Sequence, residues 1–140
     1  MSSLEASARF FQQGRFAVVG ASADPAKFGN KVFRWYLDHK LSVVPINPST
    51  PTIENHTTAA KLSTLTDPAS YSVSVITPPK ITKNIIQEAA DLGIKNVWLQ
   101  PGAESEEALA LGREKGLNVI SGGPCVLVHG EEAIKAASKL

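Results

Sequence analysis

The sequence predicts an α/β protein, a Rossmann-like three-layer sandwich built on a five-stranded parallel sheet. Two observations lead to this fold class. Short apolar runs, typical of buried parallel strands, alternate with segments whose apolar residues recur at helical spacing. Glycines and prolines separate the two kinds of segment. Such alternation implies βαβ units with right-handed crossovers, and we expect the strand order 3-2-1-4-5 of half a Rossmann fold.

The first half of the chain contains two predicted helices and two predicted strands. In order these are a helix over 3–13, a strand over 15–20, a helix from about 30 and a strand over 42–47. Pro45 lies inside the second strand and argues against a fully bonded central position, or for a strand that ends early. Residues 48–63 are rich in Pro, Thr, Ser and Asn, which predicts a loop with at most a short helical turn.

The second half continues the alternation. Strands are predicted over 71–77, 96–100 and 117–120, and helices over 81–92, 105–115 and 131–139. Ser105 is the expected N-cap of its helix, because a side-chain oxygen can accept from the exposed N–H groups of the first turn. Residues 121–125 are predicted to form a turn, and Trp35 and Trp98 are expected in the core.

The composition indicates a single domain over residues 1–140, long enough to bury a sizeable core. Hydrophobic residues make up 43% and charged residues 19% of the chain, which is ordinary for a globular protein. A net charge of +1 without charge runs favours neither a nucleic acid nor a membrane partner. No apolar run has the length of a membrane span or a signal-peptide core, and we therefore expect a cytoplasmic protein.

A binding edge is predicted where the parallel strands end. The five sequences that follow the strands are Gly20-Ala-Ser22, Asn47-Pro-Ser-Thr50, Thr77-Pro-Pro-Lys80, Gln100-Pro-Gly102 and Ser121-Gly-Gly-Pro124. All are small, polar or rich in proline. Such residues also suit ordinary turns, but five together favour a ligand site. The loop from Gly20 to Gly29 precedes a helix, and it predicts an anion site at the positive helix end.

The usual dinucleotide signature is missing from this edge. Gly20 and Gly29 do not have the G-x-G-x-x-G spacing, and the second strand ends in Asn47 rather than an acid for the ribose hydroxyls. An asparagine can still bond a ribose, so a small NAD(P)-dependent oxidoreductase stays as the alternative. No Gly-Lys-Ser/Thr sequence occurs, which excludes a Walker-type phosphate loop.

Several stretches, taken in their order and spacing, resemble one known family. They are Phe16-Ala-Val-Val-Gly-Ala-Ser-Ala-Asp-Pro25, Val43-Val-Pro-Ile-Asn-Pro48, Val75-Ile-Thr-Pro-Pro-Lys-Ile81 with Ala89-Ala-Asp-Leu-Gly-Ile-Lys95, and Asn96-Val-Trp-Leu-Gln100 followed by Glu106-Glu-Ala108. Together they resemble stand-alone CoA-binding domains and the N-terminal domain of the succinyl-CoA synthetase alpha subunit. The resemblance covers roughly residues 10–128. It implies a Rossmann-like domain that binds coenzyme A or an acyl-CoA.

The resemblance also implies which residues would hold the ligand. Gly20, Ala21 and Ser22 would take the diphosphate, and Lys27 would neutralise part of its charge. Asn47 and Pro48 would lie near the adenosine or 3′-phosphate end, and Thr77, Pro78 and Pro79 would form a wall. Gln100, Pro101 and Gly102 would line the path of the pantetheine arm. Many stand-alone members carry an arginine-containing stretch before this helix; Lys27 here is a flexible point charge, not a bidentate fork.

The titratable side chains offer no convincing catalytic set. His39 is expected at a helix end and His56 in a solvated loop. Cys125 and His129 could form a nucleophile pair, but we favour a packed thiol in a small buried apolar segment. Cys125 also follows the fifth strand near the binding edge, which raises the hypothesis of a mixed disulfide with CoA.

The acidic side chains likewise offer no convincing catalytic set. Glu104, Glu106 and Glu107 are expected to be helix-start acids rather than an acid/base pair, and no metal-ligand cluster is predicted. Acyl-CoA ligation would need a second domain with a phosphorylated histidine and a beta subunit. We therefore expect a non-catalytic CoA-binding or regulatory module. A fold that has lost its ligand is a further alternative, and a homo-oligomer or an unidentified protein partner is left open.

Overall fold

The computed structural model describes residues 2–140, over which it contains five α-helices and seven strands. The helices are α1 Ser3–Phe11, α2 Phe28–Asp38, α3 Pro79–Asp91, α4 Glu106–Glu114 and α5 Val126–Ala137. The strands are β1 Arg15–Val19, β2 Ser42–Ile46, β3 Thr52–Ile53, β4 His56–Thr57, β5 Ser72–Val75, β6 Asn96–Leu99 and β7 Asn118–Ile120. Two short 3-10 turns span Leu62–Thr64 and Pro68–Ser70. None of the helices within residues 2–140 is long and apolar enough to cross a bilayer.

The main sheet has five parallel strands in the order β2-β1-β5-β6-β7. The predicted α/β fold class, with a Rossmann-like sheet between helical layers, is confirmed. The predicted order 3-2-1-4-5 is wrong, because the third main strand, β5, pairs with β1 and not with β2. In that numbering the observed order is 2-1-3-4-5, the arrangement of flavodoxin-like sheets.

Pro45 explains why β2 lies at the edge of the sheet. The backbone N–H of Ala59 donates to the Pro45 carbonyl at 3.0 Å, on the side of β2 that faces away from β1. The N–H and C=O of one strand residue point the same way. The missing N–H of Pro45 therefore falls on this outer side, where a further strand would need it. The Asn47 N–H donates to the Ala59 carbonyl at 2.9 Å, so the returning chain covers the carboxyl end of this edge instead.

Residues 48–63, expected to be loop, contain a small hairpin as well as a 3-10 turn. β3 and β4 pair antiparallel, with Thr52 opposite Thr57 and Ile53 opposite His56. The two turn residues, Glu54 and Asn55, have φ values of 48° and 64°, as a type I′ hairpin turn requires. Two-residue strands give almost no alternation pattern, which is why the sequence did not reveal the hairpin.

The two faces of the sheet bury separate apolar clusters. In β1, Phe16 and Val18 face α1, α2 and α5, and Ala17 and Val19 face α3 and α4. The first face is aromatic: the Phe10 ring lies 5.7 Å from Phe16 and 5.5 Å from the buried Trp98. Each such ring pair adds about 0.5–1.5 kcal/mol beyond the burial of its area. Trp98 and also Trp35 are core residues, as expected.

Two helices begin earlier than predicted. α5 begins at Val126 rather than Glu131, and α2 begins at Phe28 rather than near Asn30. Both lack an N-cap side chain that accepts a hydrogen bond, so the sequence gives no start signal at either site. The expectation of a buried apolar segment after Cys125 is wrong as well. Val126 is buried, but Val128 is 75% exposed because it lies on the outer face of α5.

His39 links the end of α2 to α5. Its ring stacks on Trp35 at 4.0 Å between centroids, and Nδ1 lies 2.7 Å from the Trp35 carbonyl oxygen. Nε2 lies 3.1 Å from a Glu131 carboxylate oxygen on α5. Burial by itself lowers the pKa of His39. The two hydrogen bonds and the charges of Glu131 and Asp38 outweigh that effect and raise the pKa above its ordinary value.

This raised pKa predicts a pH-dependent stability. A histidine with a raised folded-state pKa stabilises the fold fully below its unfolded value of about 6.5, and the gain is lost as pH rises through the folded value. We expect the free energy of unfolding to fall across this range in urea titrations. His39→Gln should flatten the fall, whereas His56→Gln, at an exposed position, should leave it intact. Equal slopes in both variants would show that His39 is not the responsible group.

Candidate functional site

The strand order places the switch point of the sheet between β1 and β5. The chain leaves β1 for β2 on one side and returns to β5 on the other side. In open α/β sheets, ligands bind at such a point, outside the carboxyl ends of the strands. The predicted binding edge therefore centres on Gly20 after β1 and Thr77 after β5 rather than on β2.

The loop after β1 is held against its surroundings by two glycines. A Cβ on Gly20, whose φ is 92°, would collide with the carbonyl group of Ile76 at the end of β5. A Cβ on Gly29, in the first turn of α2, would collide with the carbonyl oxygen of Gly20. Glycine at both positions lets the start of α2 touch the end of β1 directly. The positive end of α2 is thereby fixed at the switch point.

Part of the loop backbone is already paired, and part is open. The Ser22 hydroxyl accepts from the Asp24 N–H at 3.1 Å, and the Asp24 carboxylate accepts from the Ala26 N–H at 2.9 Å. The N-cap position of α2 is the exposed Lys27, whose side chain makes no capping bond. The first N–H groups of a helix have no partner within it, so this end of α2 can receive an anion.

Asn47, the predicted adenosine contact, ties two loops together. Its Nδ2 donates to the Ala21 carbonyl at 2.9 Å. Its Oδ1 accepts from the backbone N–H groups of Ser49 at 2.8 Å and Thr50 at 3.0 Å. The Asn47 side chain thus positions the loop after β1 and the loop after β2 relative to each other. This use of both amide atoms disfavours it as a two-point ribose contact.

Asn30 is a structural residue of this site that the sequence analysis missed. It is fully buried in α2, and its Nδ2 donates to the Ser22 carbonyl at 2.9 Å and to Glu54 at 3.1 Å. Its Oδ1 accepts from Arg34 Nε at 2.6 Å. A single amide therefore connects the loop after β1, the β3–β4 hairpin and an arginine one turn into α2. A polar residue at a core-facing helix position was the available signal.

A mostly apolar pocket of about 270 Å³ opens beside this loop. Four of the predicted site residues line it: Gly20, Asn47, Pro48 and Thr77. The sequence analysis missed the rest of the lining, which consists of Val19, Ile46, Ala60, Lys61, Leu62, Ile81, Ile85 and Glu88. Half of these come from α3 and the 3-10 turn after the hairpin. They line the pocket because β5 returns beside β1, which places α3 over the ends of β1 and β2.

The other predicted residues lie outside this pocket. Ala21 is buried under the loop, and Ser22 and Lys27 belong to the loop itself. Pro79 begins α3, Pro78 is its N-cap, and both are exposed. Pro79 lines a separate open cleft of about 390 Å³ between the starts of α3 and α4.

The end of β6 forms a second part of the edge. Pro101 and Gly102 are exposed, but Gln100 is fully buried, and its Oε1 accepts from the Val126 N–H at 3.0 Å. Glu104, expected to be a helix-start acid, instead accepts from the Gly102 N–H at 2.8 Å. The β6 loop is therefore tied internally and to the start of α5.

The candidate nucleophile pair is not arranged for catalysis. The His129 ring Nδ1 accepts from the Cys125 backbone N–H at 3.2 Å, so the ring engages the main chain rather than the thiol. Glu106 and Glu107 lie in the first turn of α4, as expected. Among the described residues, no three His, Cys, Asp or Glu side chains are grouped as metal ligands.

The contact between Gly29 and Gly20 gives a stability prediction. Gly29→Ala should destabilise the protein by about 1–3 kcal/mol, because its methyl group meets backbone that cannot move aside. Gly112→Ala is a matched control, since it is also a helical glycine but its Cβ would meet the Val119 side chain at 2.7 Å. The control should cost less, because a side chain can shift where backbone cannot, whereas the helix-propensity gain of about 1 kcal/mol from glycine to alanine applies to both changes. Urea unfolding measures both, and equal losses would contradict the backbone contact.

Comparison with solved structures supports the fold and the family. A conserved hypothetical protein from Pyrococcus furiosus is 34% identical, with a TM-score of 0.75, over 82% of this chain and 97% of that chain. A Thermus thermophilus protein is 27% identical, with a TM-score of 0.82, over 95% of this chain and 99% of that chain. The dinucleotide-forming acetyl-coenzyme A synthetase 1 of Candidatus Korarchaeum cryptofilum is 27% identical, with a TM-score of 0.68, over 79% of this chain but 26% of that longer chain.

A family model described as a CoA binding domain matches residues 14–131. This range begins before β1 and ends in the second turn of α5, so it includes the Gly20–Gly29 loop and the apolar pocket. The chain belongs to the CoA-binding domain family.

Proposed function

We propose that the chain binds coenzyme A along the carboxyl edge of its sheet and acts as a binding or regulatory module without a catalytic step of its own. The observation that carries this proposal is an apolar pocket of about 270 Å³ directly beside an anion-accepting loop, in a member of the CoA-binding domain family. CoA combines a flat apolar base with a diphosphate, and these two features match the pocket and the loop respectively.

The pocket suits the adenine ring of CoA. Val19, Ile46 and Leu62 supply apolar walls, and ligand sites of this kind are typically apolar with a few polar groups that fix orientation. Lys61 and Glu88 are such polar groups in this lining. The ring would enter between the β2 loop and α3.

The loop from Gly20 to Gly29 suits the diphosphate. The uncapped start of α2 offers backbone N–H groups, and Lys27 adds a positive charge at the same place. Asn47 supports this site through its bond to the Ala21 carbonyl. We therefore assign Asn47 a positioning role, with Gly20, Ala21, Ser22 and Lys27 around the diphosphate.

The pantetheine arm would then run from β1 across β5 to β6. Thr77, Pro78 and Pro79 lie at the end of β5, and Gln100, Pro101 and Gly102 lie at the end of β6. This direction follows from the strand order, since neighbouring strands in the sheet carry these loops side by side. The exposed end of this path suits a free thiol or a thioester of any acyl group.

An NAD(P)-dependent oxidoreductase fits the same edge less well. Dinucleotide folds place an acid at the end of the second strand to take the ribose hydroxyls. Here that position is Asn47, and both of its amide atoms hold loop backbone.

Titration calorimetry with CoA, acetyl-CoA, NAD and NADP distinguishes a CoA-binding protein from an NAD(P)-dependent one. We expect binding of CoA or its thioester, and tight NAD binding without CoA binding would overturn the proposal.

Filling the pocket should weaken CoA binding without unfolding the chain. Ala60 is exposed at the rim of the pocket, so Ala60→Trp places an indole where the adenine ring would lie. We expect CoA affinity to fall at least about tenfold, as 1.4 kcal/mol of lost contact would give. Ala110→Trp, at an exposed position on α4, is the matched control and should bind CoA normally. Full binding by Ala60→Trp would place the base elsewhere.

Lys27→Ala tests the phosphate position. Loss of a charge-assisted hydrogen bond should weaken CoA binding by about 1–2 kcal/mol and flatten its salt dependence. Lys95→Ala, at the amino end of β6, removes the same charge away from the site and should leave affinity unchanged. An unchanged dissociation constant for Lys27→Ala would shift the role to Lys31 or Lys80.

A further inference from the structure

Cys125 is held above the carboxyl end of β6. The Trp98 Nε1–H donates to the Pro124 carbonyl at 2.9 Å, and the Val126 N–H donates to Gln100 Oε1 at 3.0 Å. Both neighbours of Cys125 are thus bonded to residues of β6 or its end. β6 lies two strands from β1 in the sheet, which corresponds to about 10 Å at the usual strand spacing.

Cys125 is not the fully buried residue that the sequence suggested. The residue is partly exposed, and it occupies the N-cap position of the twelve-residue helix α5. The positive end of a helix favours a negative charge, and the thiolate is the reactive form of cysteine. His129 Nδ1 accepts from the Cys125 backbone N–H, so this ring nitrogen is not paired with the sulfur.

Gln100 provides an independent indication of a ligand beside Cys125. Its side chain is fully buried, and its Nε2 is the one buried side-chain nitrogen or oxygen among the described residues without a hydrogen-bond partner. The same carboxamide holds the first N–H of α5, so Nε2 lies beside the turn that carries Cys125. An unpaired buried donor costs about 1–3 kcal/mol, and native proteins usually supply an acceptor. The amide carbonyls of a pantetheine arm are acceptors of the required kind.

The pantetheine arm is long enough to reach from the loop after β1 to Cys125. Its backbone has the length of about four residues, or about 14 Å when extended. The span from the loop after β1 to Cys125 is about two strand spacings, or about 10 Å. A CoA molecule with its diphosphate on that loop would therefore bring its sulfur to the end of β6.

We propose that Cys125 exchanges with CoA disulfide and carries CoA as a mixed disulfide, an inference that rests on the proposed CoA binding. The Cys125 thiolate attacks one sulfur of CoA disulfide, the bond between the two CoA sulfurs breaks, and a Cys125–CoA disulfide forms. The second CoA leaves as a thiolate and takes a proton from water. CoA disulfide is the oxidant, and the thiol of the protein is oxidised as one CoA is reduced.

The test uses the full chain, whose only cysteine is Cys125. The protein is mixed with CoA disulfide or with cystamine, a small disulfide that lacks the nucleotide, and intact-mass spectrometry follows the adduct. We expect CoA disulfide to react at least about tenfold faster, with saturation, because binding raises the effective concentration of the disulfide. Adenosine 3′,5′-bisphosphate, which lacks the arm, should slow this reaction and leave the cystamine reaction unchanged.

Two variants distinguish a failure of the disulfide exchange from a failure of CoA binding. Ala60→Trp keeps Cys125 but fills the pocket, and its CoA disulfide reaction should fall to the cystamine rate. Cys125→Ser should form no adduct and still bind CoA in calorimetry. If Cys125→Ser binds CoA but the wild-type chain reacts equally with both disulfides, the exchange is refuted and the proposed function stands. If neither protein binds CoA, the proposed function fails as well.

Discussion

The candidate site depends on one backbone contact, that of Gly29 in α2 with the carbonyl oxygen of Gly20 after β1. This contact seats the positive end of a helix at the switch point of the sheet. Asn30, the next residue, then donates to the Ser22 carbonyl, and Asn47 donates to the Ala21 carbonyl. The loop is therefore fixed by the protein before any anion arrives, which reduces the ordering cost of binding.

Strand order decides which residues meet this loop. With β5 beside β1, the start of α3 and the 3-10 turn near Leu62 close over the ends of β1 and β2. The pocket that results combines side chains more than sixty residues apart in the chain, from Val19 to Glu88. A sheet with β2 between β1 and β5 would have separated these walls.

The sequence was sufficient to predict local structure and insufficient to predict which strands pair. The Ser105 N-cap, the helix ends at Gly14 and Gly93, and the buried strands were predictable because each depends on a few neighbouring residues. The strand order was not, although Pro45 already argued against a central β2. Strand pairing depends on long-range contacts, such as Ala59 against Pro45, that no local pattern encodes.

The candidate site was likewise predictable only where it depends on local sequence. Its loops were predictable because they follow strand ends, and four of the pocket residues were among them. Its remaining walls and the role of Asn47 depend on how distant segments meet.

The covered edge at Pro45 also affects self-association. An open edge strand invites pairing with a second chain, and here Ala59 takes the outward hydrogen bonds at the carboxyl end of β2. A second chain that paired along the whole of β2 would have to displace Ala59.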